Sequence, residues 1–266
     1  MRIVPIPCLS DNYAYLVICN ETRAAAIVDP SEAEPIVSLV EKILSEKRGG
    51  GIKVSQVWAT HHHHDHVGGI EEVAKRFGVE DVYGYASDKG RIPGQTRFLA
   101  DGDTFSLGKL NVSATHIPGH TLGAVAYAVS RPGQDTSLFT GDTLFLSGCG
   151  RIFEGTPEMM HASLQKLAAF PDETRIYCGH EYTLSNLRFA AHLEPTNANI
   201  QRAKELAAAA RQEGRPTVPR ALREERLTNP FFRTDSAELR ATLGMAEYDE
   251  DVAVFAVARR AKDIFK

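Results

Sequence analysis

The sequence predicts an α+β protein, with two mixed β-sheets flanked by helices and a smaller C-terminal α-helical domain. Short strand-like apolar segments alternate with helix-like segments over roughly the first 180 residues. Several of these strands are separated by hairpin-length connections, which argues against a purely parallel doubly wound sheet. Strand signals nearly vanish from Thr183 onward, and a length of 266 residues suits one large domain plus a small one.

The individual segments follow from apolar periodicity and from turn residues. The predicted strands are 13–19, 24–28, 54–60, 110–116, 124–129, 137–140 and 175–178. The predicted helices are 33–45, 70–77, 157–170, 184–193, 200–211 and 249–265, with a proline-containing interruption at 214–219. The domain boundary is therefore expected near residue 181, giving domains 1–181 and 182–266.

Composition excludes several classes of protein. A net charge of −4, with 43% hydrophobic and 24% charged residues, is ordinary for a soluble globular chain and gives no reason to expect nucleic acid or an anionic membrane as partner. The four cysteines are scattered without a CxxC pair, which favours a reducing compartment over a disulfide framework. No stretch approaches the length of a membrane span, and the first residues contain no long apolar run. We therefore expect a cytoplasmic protein.

The segment from His61 to His66, with sequence HHHHDH, carries the strongest chemical signal. It follows a buried strand and precedes Gly68-Gly69 and a helix. Histidines two apart in an extended chain point to the same side, so His61 and His63 can bind one metal ion. Asp65 and His66 come at the turn into the helix, where they can offer a second set of ligands. Nitrogen and oxygen donors suit zinc or another divalent transition metal.

Three further segments end a strand with a potential ligand. They offer His120 on a Pro-Gly turn, Asp142 after an apolar strand, and His180 after the strand 175–178. Loops at strand ends are where a rigid scaffold holds catalytic groups. Each would be weak alone, but their combination with the HxHxDH segment strongly predicts a metal centre.

HxHxDH followed by a single His, a GD and a GH resembles the metallo-β-lactamase superfamily, whose fold is an αββα sandwich. The resemblance implies that His61, His63 and His120 hold one metal ion and that Asp65, His66 and His180 hold a second. Asp142 would bridge them, and both ions would polarise one shared water. Zinc is the first expectation for the two divalent ions, with iron or manganese as alternatives. His62 and His64 point away from the ions, and Asp29 is expected to support ligands rather than to be one.

A closer resemblance runs through almost the whole chain, to the glyoxalase II (hydroxyacylglutathione hydrolase) family. It rests on the stretches SDNY (10–13), GDTLF (141–145), EGT (154–156), CGHEYT (178–183), EP (194–195), TNPF (228–231) and RRAKD (259–263). It implies hydrolysis of S-D-lactoylglutathione to D-lactate and glutathione, the second step of methylglyoxal detoxification. A metal-bridged hydroxide would attack the thioester carbonyl, with Asp65 and Asp142 as the catalytic carboxylates.

The same resemblance assigns substrate binding to Arg151, Tyr182, Arg259 and Lys262. Arg259 and Lys262 are three apart in a helical segment and share one face, so the pair can receive a glutathione carboxylate. A solvated basic surface explains that spacing equally well. The chain departs from the pattern at three positions. Arg151 and Phe153 stand where some members have Lys and Tyr, and Arg151 keeps the charge whereas Phe153 cannot donate a hydrogen bond. Ala124 replaces a second His that is not among the seven ligands.

Other interpretations stay open at this stage. A persulfide dioxygenase using one iron resembles the N-terminal half but lacks the helical tail. A nuclease of the same superfamily is opposed by the acidic N-terminal part. A non-catalytic metal-binding protein is opposed by the presence of all seven ligand types. The oligomeric state is expected to be monomeric.

Overall fold

The structure is a computed structural model that describes residues 1–45 and 51–265. The chain divides into two compact units, each built from two stretches of sequence. The first unit is Met1–His116 with Gly123–Gly141, and the second is Ile117–Leu122 with Asp142–Lys266. The domain boundary near residue 181, which divides the chain into two continuous stretches, stays a prediction.

The first unit contains two sheets. In the first sheet the order is β1-β2-β3-β4-β5-β6. Its strands are β1 (Arg2–Cys8), β2 (Asn12–Ile18), β3 (Ala24–Val28), β4 (Lys53–Trp58), β5 (Asp81–Tyr85) and β6 (Arg97–Leu99). The pairs β1–β2 and β2–β3 are antiparallel, whereas β3–β4, β4–β5 and β5–β6 are parallel, so the sheet is mixed as predicted. The second sheet contributes antiparallel β7 (Thr104–Leu107), β8 (Leu110–His116), β9 (Val125–Ser130) and β10 (Ser137–Gly141).

The core of this unit follows from the amphipathic pattern of its elements. Three helices accompany the first sheet: α1 (Ala33–Ser45), α2 (His64–Val67) and α3 (Ile70–Phe77). Ile36 and Val40 of α1 and Ile70 of α3 share one buried apolar cluster with β2, β3 and β4. Aromatic rings from the opposite face meet the second sheet, with Trp58 5.6 Å from Tyr127 between ring centroids. Burial of such side chains contributes about 1.5–3 kcal/mol each.

The second unit is mainly helical. Its helices are α4 (Pro157–Ala168), α5 (Thr183–Leu193), α6 (Ala198–Gln212), α7 (Leu222–Thr228), α8 (Ala237–Leu243) and α9 (Asp251–Ile264). Two short antiparallel pairs accompany them: β11 (Leu144–Phe145) with β12 (Gly148–Cys149), and β13 (Arg175–Cys178) with β14 (Arg220–Ala221). The predicted fold class, two mixed sheets with flanking helices and a helical C-terminal region, is confirmed.

Most predicted segments appear within one or two residues of their expected ends, and the helices over 33–45 and 70–77 match theirs. The sequence missed β1 because Pro5 and Pro7 lie in it. Proline is tolerated in a strand at a sheet edge, and β1 is the edge strand. Among the described residues no helix is long and apolar enough to cross a membrane.

Candidate metal centre

The HHHHDH segment lies at the end of β4 and continues into the single-turn helix α2. His61 and His66 are buried, whereas His64 is exposed. The Nε2 atom of His61 lies 3.1 Å from the Nδ1 atom of His63. The Nε2 atom of His66 lies 3.7 Å from the Asp65 carboxylate. These are the two pairs that the sequence assigned to separate ions.

Asp29 holds two of these histidines. Its Oδ2 atom accepts hydrogen bonds from Nδ1 of His66 at 3.0 Å and from the Thr60 hydroxyl at 2.7 Å. The Thr60 oxygen in turn lies 3.1 Å from Nδ1 of His61. Because each Nδ1 proton has an acceptor, each Nε2 atom keeps its lone pair for a metal ion. This is the supporting role that the sequence predicted for Asp29.

The two glycines after the ligand segment allow close packing. A Cβ atom on Gly69 would lie 2.7 Å from the backbone of Glu32, and one on Gly68 would lie 2.8 Å from the Ser31 carbonyl oxygen. Side chains cannot be accommodated at such distances. The start of α3 therefore lies directly against the segment that follows Asp29.

His62 and Asn12 have supporting contacts. The Nδ1 atom of His62 lies 3.3 Å from the buried Asp88 carboxylate, so His62 is occupied away from the ligand atoms, as predicted. Asn12 donates through Nδ2 to both the carboxylate and the carbonyl oxygen of Asp65, at 3.0 Å each. Asn12 lies in the SDNY motif, but the sequence predicted no role for it. Its position at the start of a strand carries no signal for a contact 53 residues away.

The second unit holds the remaining three predicted ligands. The Oδ2 atom of Asp142 lies 3.5 Å from Nε2 of His120 and 3.3 Å from Nε2 of His180. Two ligand atoms bound to one tetrahedral ion at about 2.1 Å lie about 3.4 Å apart, so each of these separations suits an ion that Asp142 shares with that histidine. Nδ1 of His120 donates to the Arg151 carbonyl oxygen at 2.7 Å, which again leaves Nε2 for a metal.

Candidate metal ligands among the described residues are His61, His63, Asp65, His66, His120, Asp142 and His180. They form His/Asp clusters of the kind that binuclear centres use. The donor set, five imidazoles with two carboxylates, fits first-row divalent metals.

A cavity of about 430 Å³ lies within the second unit beside Asp142 and His120. All four predicted substrate-binding residues line it: Arg151, Tyr182, Arg259 and Lys262. The Tyr182 ring stacks on the His180 ring with centroids 4.7 Å apart. The cavity therefore places one ligand cluster and the predicted cationic side chains around the same space.

Arg259 is 7% exposed, so it is not part of a solvated basic surface. Its Nη1 donates to the Cys149 carbonyl oxygen at 2.7 Å, and its guanidinium lies 5.2 Å from the Phe231 ring centroid. Lys262 donates to Ser185 and lies 5.4 Å from the Phe189 ring centroid. Burial, with the neighbouring Arg259 and Arg188 charges, lowers the pKa of Lys262 to about 8.

Sequence reasoning missed Asp263. Its Oδ1 atom accepts from Nε of Arg151 at 3.1 Å and from Nη2 of Arg259 at 3.1 Å, so one carboxylate orients two cations of the cavity. The spacing of Arg259 and Asp263, four apart on a helix, could have indicated this pair.

Comparison with known proteins identifies the family. The model of the metallo-β-lactamase superfamily matches residues 10–180, and the model of the hydroxyacylglutathione hydrolase C-terminus matches residues 181–265. A hydroxyacylglutathione hydrolase of Synechococcus sp. (strain JA-2-3B'a(2-13)) is 45% identical over 265 residues, covering 100% of each chain. The chain belongs to the hydroxyacylglutathione hydrolase family.

A second member of the hydroxyacylglutathione hydrolase family, from Alkalilimnicola ehrlichii, is 46% identical over 270 residues, covering 98% of each chain. Among solved structures, the BLEG-1 B3 metallo-β-lactamase aligns with a TM-score of 0.63 at 21% identity, covering 87% of this chain and 99% of that one. The latter similarity shows the fold alone. The family and the superfamily predicted from the sequence are both confirmed.

Proposed function

We propose that the protein hydrolyses the thioester S-D-lactoylglutathione, and related S-2-hydroxyacylglutathiones, to the hydroxy acid and glutathione. The observation that supports this most strongly is one cavity lined by His120, Asp142, the buried Arg259 and the half-buried Lys262. Family membership over the full length supports this assignment.

We propose His61, His63, Asp65, His66, His120, Asp142 and His180 as the ligands of two divalent metal ions, with zinc as the first expectation. When bound, such ions would polarise a water molecule and the thioester carbonyl oxygen. Asp142 supports this assignment because its carboxylate lies close to two imidazole nitrogens. Asp65 can also orient the attacking water, since Asn12 holds its carboxylate.

The protein residues around the cavity bind the remote part of the substrate. Arg259 and Lys262 offer positive charge to a glutathione carboxylate, and Arg151 and Tyr182 contribute further donors. Because the effective dielectric constant is lower away from solvent, these side chains attract a carboxylate more strongly than surface charges do. The thiolate of glutathione is a good leaving group, with a thiol pKa of about 8.5, so no general acid is assigned.

The test is a thioester assay on S-D-lactoylglutathione combined with elemental analysis of the same sample. We expect turnover with about two metal ions per chain. Absence of turnover in a metal-replete sample would refute the proposal. Oxygen consumption with glutathione persulfide would instead reveal the rival dioxygenase.

The monomeric state and the cytoplasmic location also stay predictions. The four cysteines, which form no disulfide, are compatible with a reducing compartment. Light scattering and fractionation of the native cell would test these two points.

A further inference from the structure

The segment Thr228–Phe231 is a family motif to which the proposed chemistry gives no role. It begins at the last residue of α7 and lies against the hairpin formed by β11 and β12. This hairpin supplies Phe145 and Cys149 to the cavity wall. Arg151, which also lines the cavity, follows the hairpin by two residues, so the position of the hairpin affects it.

Asn229 holds the backbone of this hairpin. Its side-chain Nδ2 donates to the carbonyl oxygens of Phe145 at 3.3 Å and of Gly148 at 3.0 Å. The same Nδ2 lies 3.0 Å from Oε2 of Glu225, one turn earlier on α7. Asn229 and Glu225 are both 0% exposed.

Glu225 holds the turn of the same hairpin. Its Oε2 atom accepts a hydrogen bond from the Ser147 backbone N–H at 2.6 Å. Ser147 has a φ of +55°, a conformation that is strained for a residue with a side chain. The Ser147 hydroxyl contacts Thr228 at 3.0 Å and accepts from Arg220 at 3.1 Å. The turn is thereby fixed in an unfavourable conformation by buried polar groups.

Burying a carboxylate costs desolvation free energy, so it is a poor source of net stability. The nearest cation to Glu225 is Arg220, at 3.7 Å, and burial raises the pKa of the Glu225 carboxyl above its ordinary value. Replacing such groups by apolar side chains is often neutral or stabilising. What this network provides is therefore geometry, because it determines where the hairpin backbone lies.

The other end of the motif supports the cavity directly. The Phe231 N–H donates to the Asn229 side chain at 3.0 Å, and the Phe231 ring lies against the Arg259 guanidinium. Arg259 in turn donates to the Cys149 carbonyl oxygen on β12. The hairpin is thus held at its turn by Glu225 and Asn229, and at its open end by Arg259.

We propose that Glu225 and Asn229 are positioning residues for the glutathione-binding cavity. They hold the β11–β12 hairpin so that Phe145, Cys149 and Arg259 present one rigid wall to the substrate. This inference rests on the proposed function of the same cavity. It concerns the binding of the glutathione moiety and leaves the chemical step to other residues.

Two conservative variants of Glu225 distinguish the effect of side-chain length from the effect of charge. Glu225→Gln keeps the length of the side chain, and its single amide oxygen can still accept from both Ser147 and Asn229. Glu225→Asp keeps the charge but is one methylene shorter, so it cannot reach the Ser147 N–H. Both variants are less disruptive to folding than removal of the side chain.

Glu194 offers a matched control in the same unit. It is also a buried carboxylate, 1% exposed, but it binds Arg233 at 2.8 Å through both oxygens and does not line the cavity. Glu194→Asp and Glu194→Gln should lower thermal stability without changing substrate binding.

The measurements are the Kd of glutathione by titration calorimetry and the KM and kcat for S-D-lactoylglutathione, all on metal-loaded protein. For Glu225→Asp we expect both Kd and KM to rise at least about fivefold, with kcat within about twofold of wild type. Glu225→Gln and the Glu194 variants should stay within about twofold for Kd and KM.

Three outcomes decide the question. Unchanged Kd and KM in Glu225→Asp would overturn the inference, as would equal losses in the Glu225 and Glu194 variants. An impaired Glu225→Gln would also overturn it, because charge rather than side-chain length would then matter. Failure of wild type to hydrolyse the thioester refutes the proposed function separately, since the glutathione titration does not depend on turnover.

Discussion

At the scale of single residues, the side chains that hydrogen-bond to the proposed metal ligands are as informative as those ligands. Asp29 has a left-handed backbone, with φ +47°, and its carboxylate serves Thr60 and His66. The sequence placed Asp29 in a supporting role from its position at a strand end. It could not place Asn12, because the contact with Asp65 depends on tertiary approach, whereas the four-residue spacing from Arg259 was an available signal for Asp263.

Asp29→Asn tests the orientation of the histidines. An amide replaces one acceptor oxygen by a donor, so the Nδ1 protons of His61 and His66 lose part of their acceptor system. We expect metal affinity to fall about 10- to 100-fold. Competition with a chromophoric chelator measures this, and an unchanged affinity would contradict the orienting role.

Asp142→Ala tests the proposed bridging role of this carboxylate. The change removes the oxygen that lies close to both His120 and His180. We expect turnover to be lost and metal content to fall in the same sample. Asp172→Ala, on the surface with a 62% exposed side chain, is the control and should behave as wild type. Full activity with two bound ions in Asp142→Ala would exclude the proposed ligand set.

The lowered pKa of Lys262 predicts that substrate binding depends on pH. Its lowered pKa of about 8 means that the ammonium is present below that pH and is lost above it. The KM should therefore rise as the pH passes through about 8, while the neighbouring Cys149 thiol, with a pKa raised by burial to about 11, stays neutral. Lys262→Arg keeps its charge over this range.

Steady-state kinetics between pH 6.5 and 9.5, about three units, would show this behaviour. In Lys262→Arg the rise in KM should disappear or move to higher pH. An identical rise in both proteins would assign the titration to another group, such as the substrate itself. Lys262→Ala should have a raised KM at every pH in this range.

At the scale of elements, the sequence predicted the helices and strands that apolar periodicity and turn residues mark. α1 and α3 have clear apolar stripes, and both were located to the residue. The hairpin of β11 and β12 was recognised only as a family motif, because two-residue strands carry no periodicity. Its position depends on contacts from α7, some 80 residues later, which no local pattern encodes.

Gly150 illustrates how closely this hairpin approaches the ligands. A Cβ atom there would lie 1.8 Å from the Asp142 carbonyl oxygen and 3.2 Å from Nδ1 of His120. Gly150→Ala should therefore displace Asp142 or His120, and we expect kcat/KM to fall at least about 100-fold, as a misplacement of 1 Å can cause. Kinetics and metal analysis measure this effect.

The control for Gly150→Ala is Gly214→Ala. Gly214 has a φ of +69° with no atom within 4 Å of an added Cβ, so this variant introduces backbone strain without a clash. It should lose about 1 kcal/mol of stability and keep its kinetic constants. Similar kinetics in the two variants would show that the close approach at Gly150 is not required.

At the scale of the whole molecule, fold class and family were predictable because the metal-binding motifs are spread along the chain at strand ends. The division into compact units was not. Each unit is made from two separate stretches, and the short stretch Ile117–Leu122 belongs to the second unit although strands of the first precede and follow it. A change in local sequence pattern marks where strand signals become rare, and it carries no information on which separate stretches pack together.

Removal of the metal tests the molecule as a unit. Dialysis against a chelator should abolish thioester hydrolysis, and added zinc, iron or manganese should restore it. A ligand present at 100 times its Kd stabilises the folded state by about 2.7 kcal/mol, so the melting temperature should fall on removal and recover with the metal. Activity that survives chelation with no bound metal would contradict the mechanism.

The discontinuous second unit limits how this protein can be dissected or recombined. A fragment starting at residue 182 would carry Glu225 and Asn229 but not the turn at Ser147 that they hold. Their buried polar atoms would then face solvent or apolar neighbours, with no hairpin to organise. The C-terminal helices alone are therefore not expected to form this cavity in another protein. A chimera designed to bind the same substrate must also include residues 142–180.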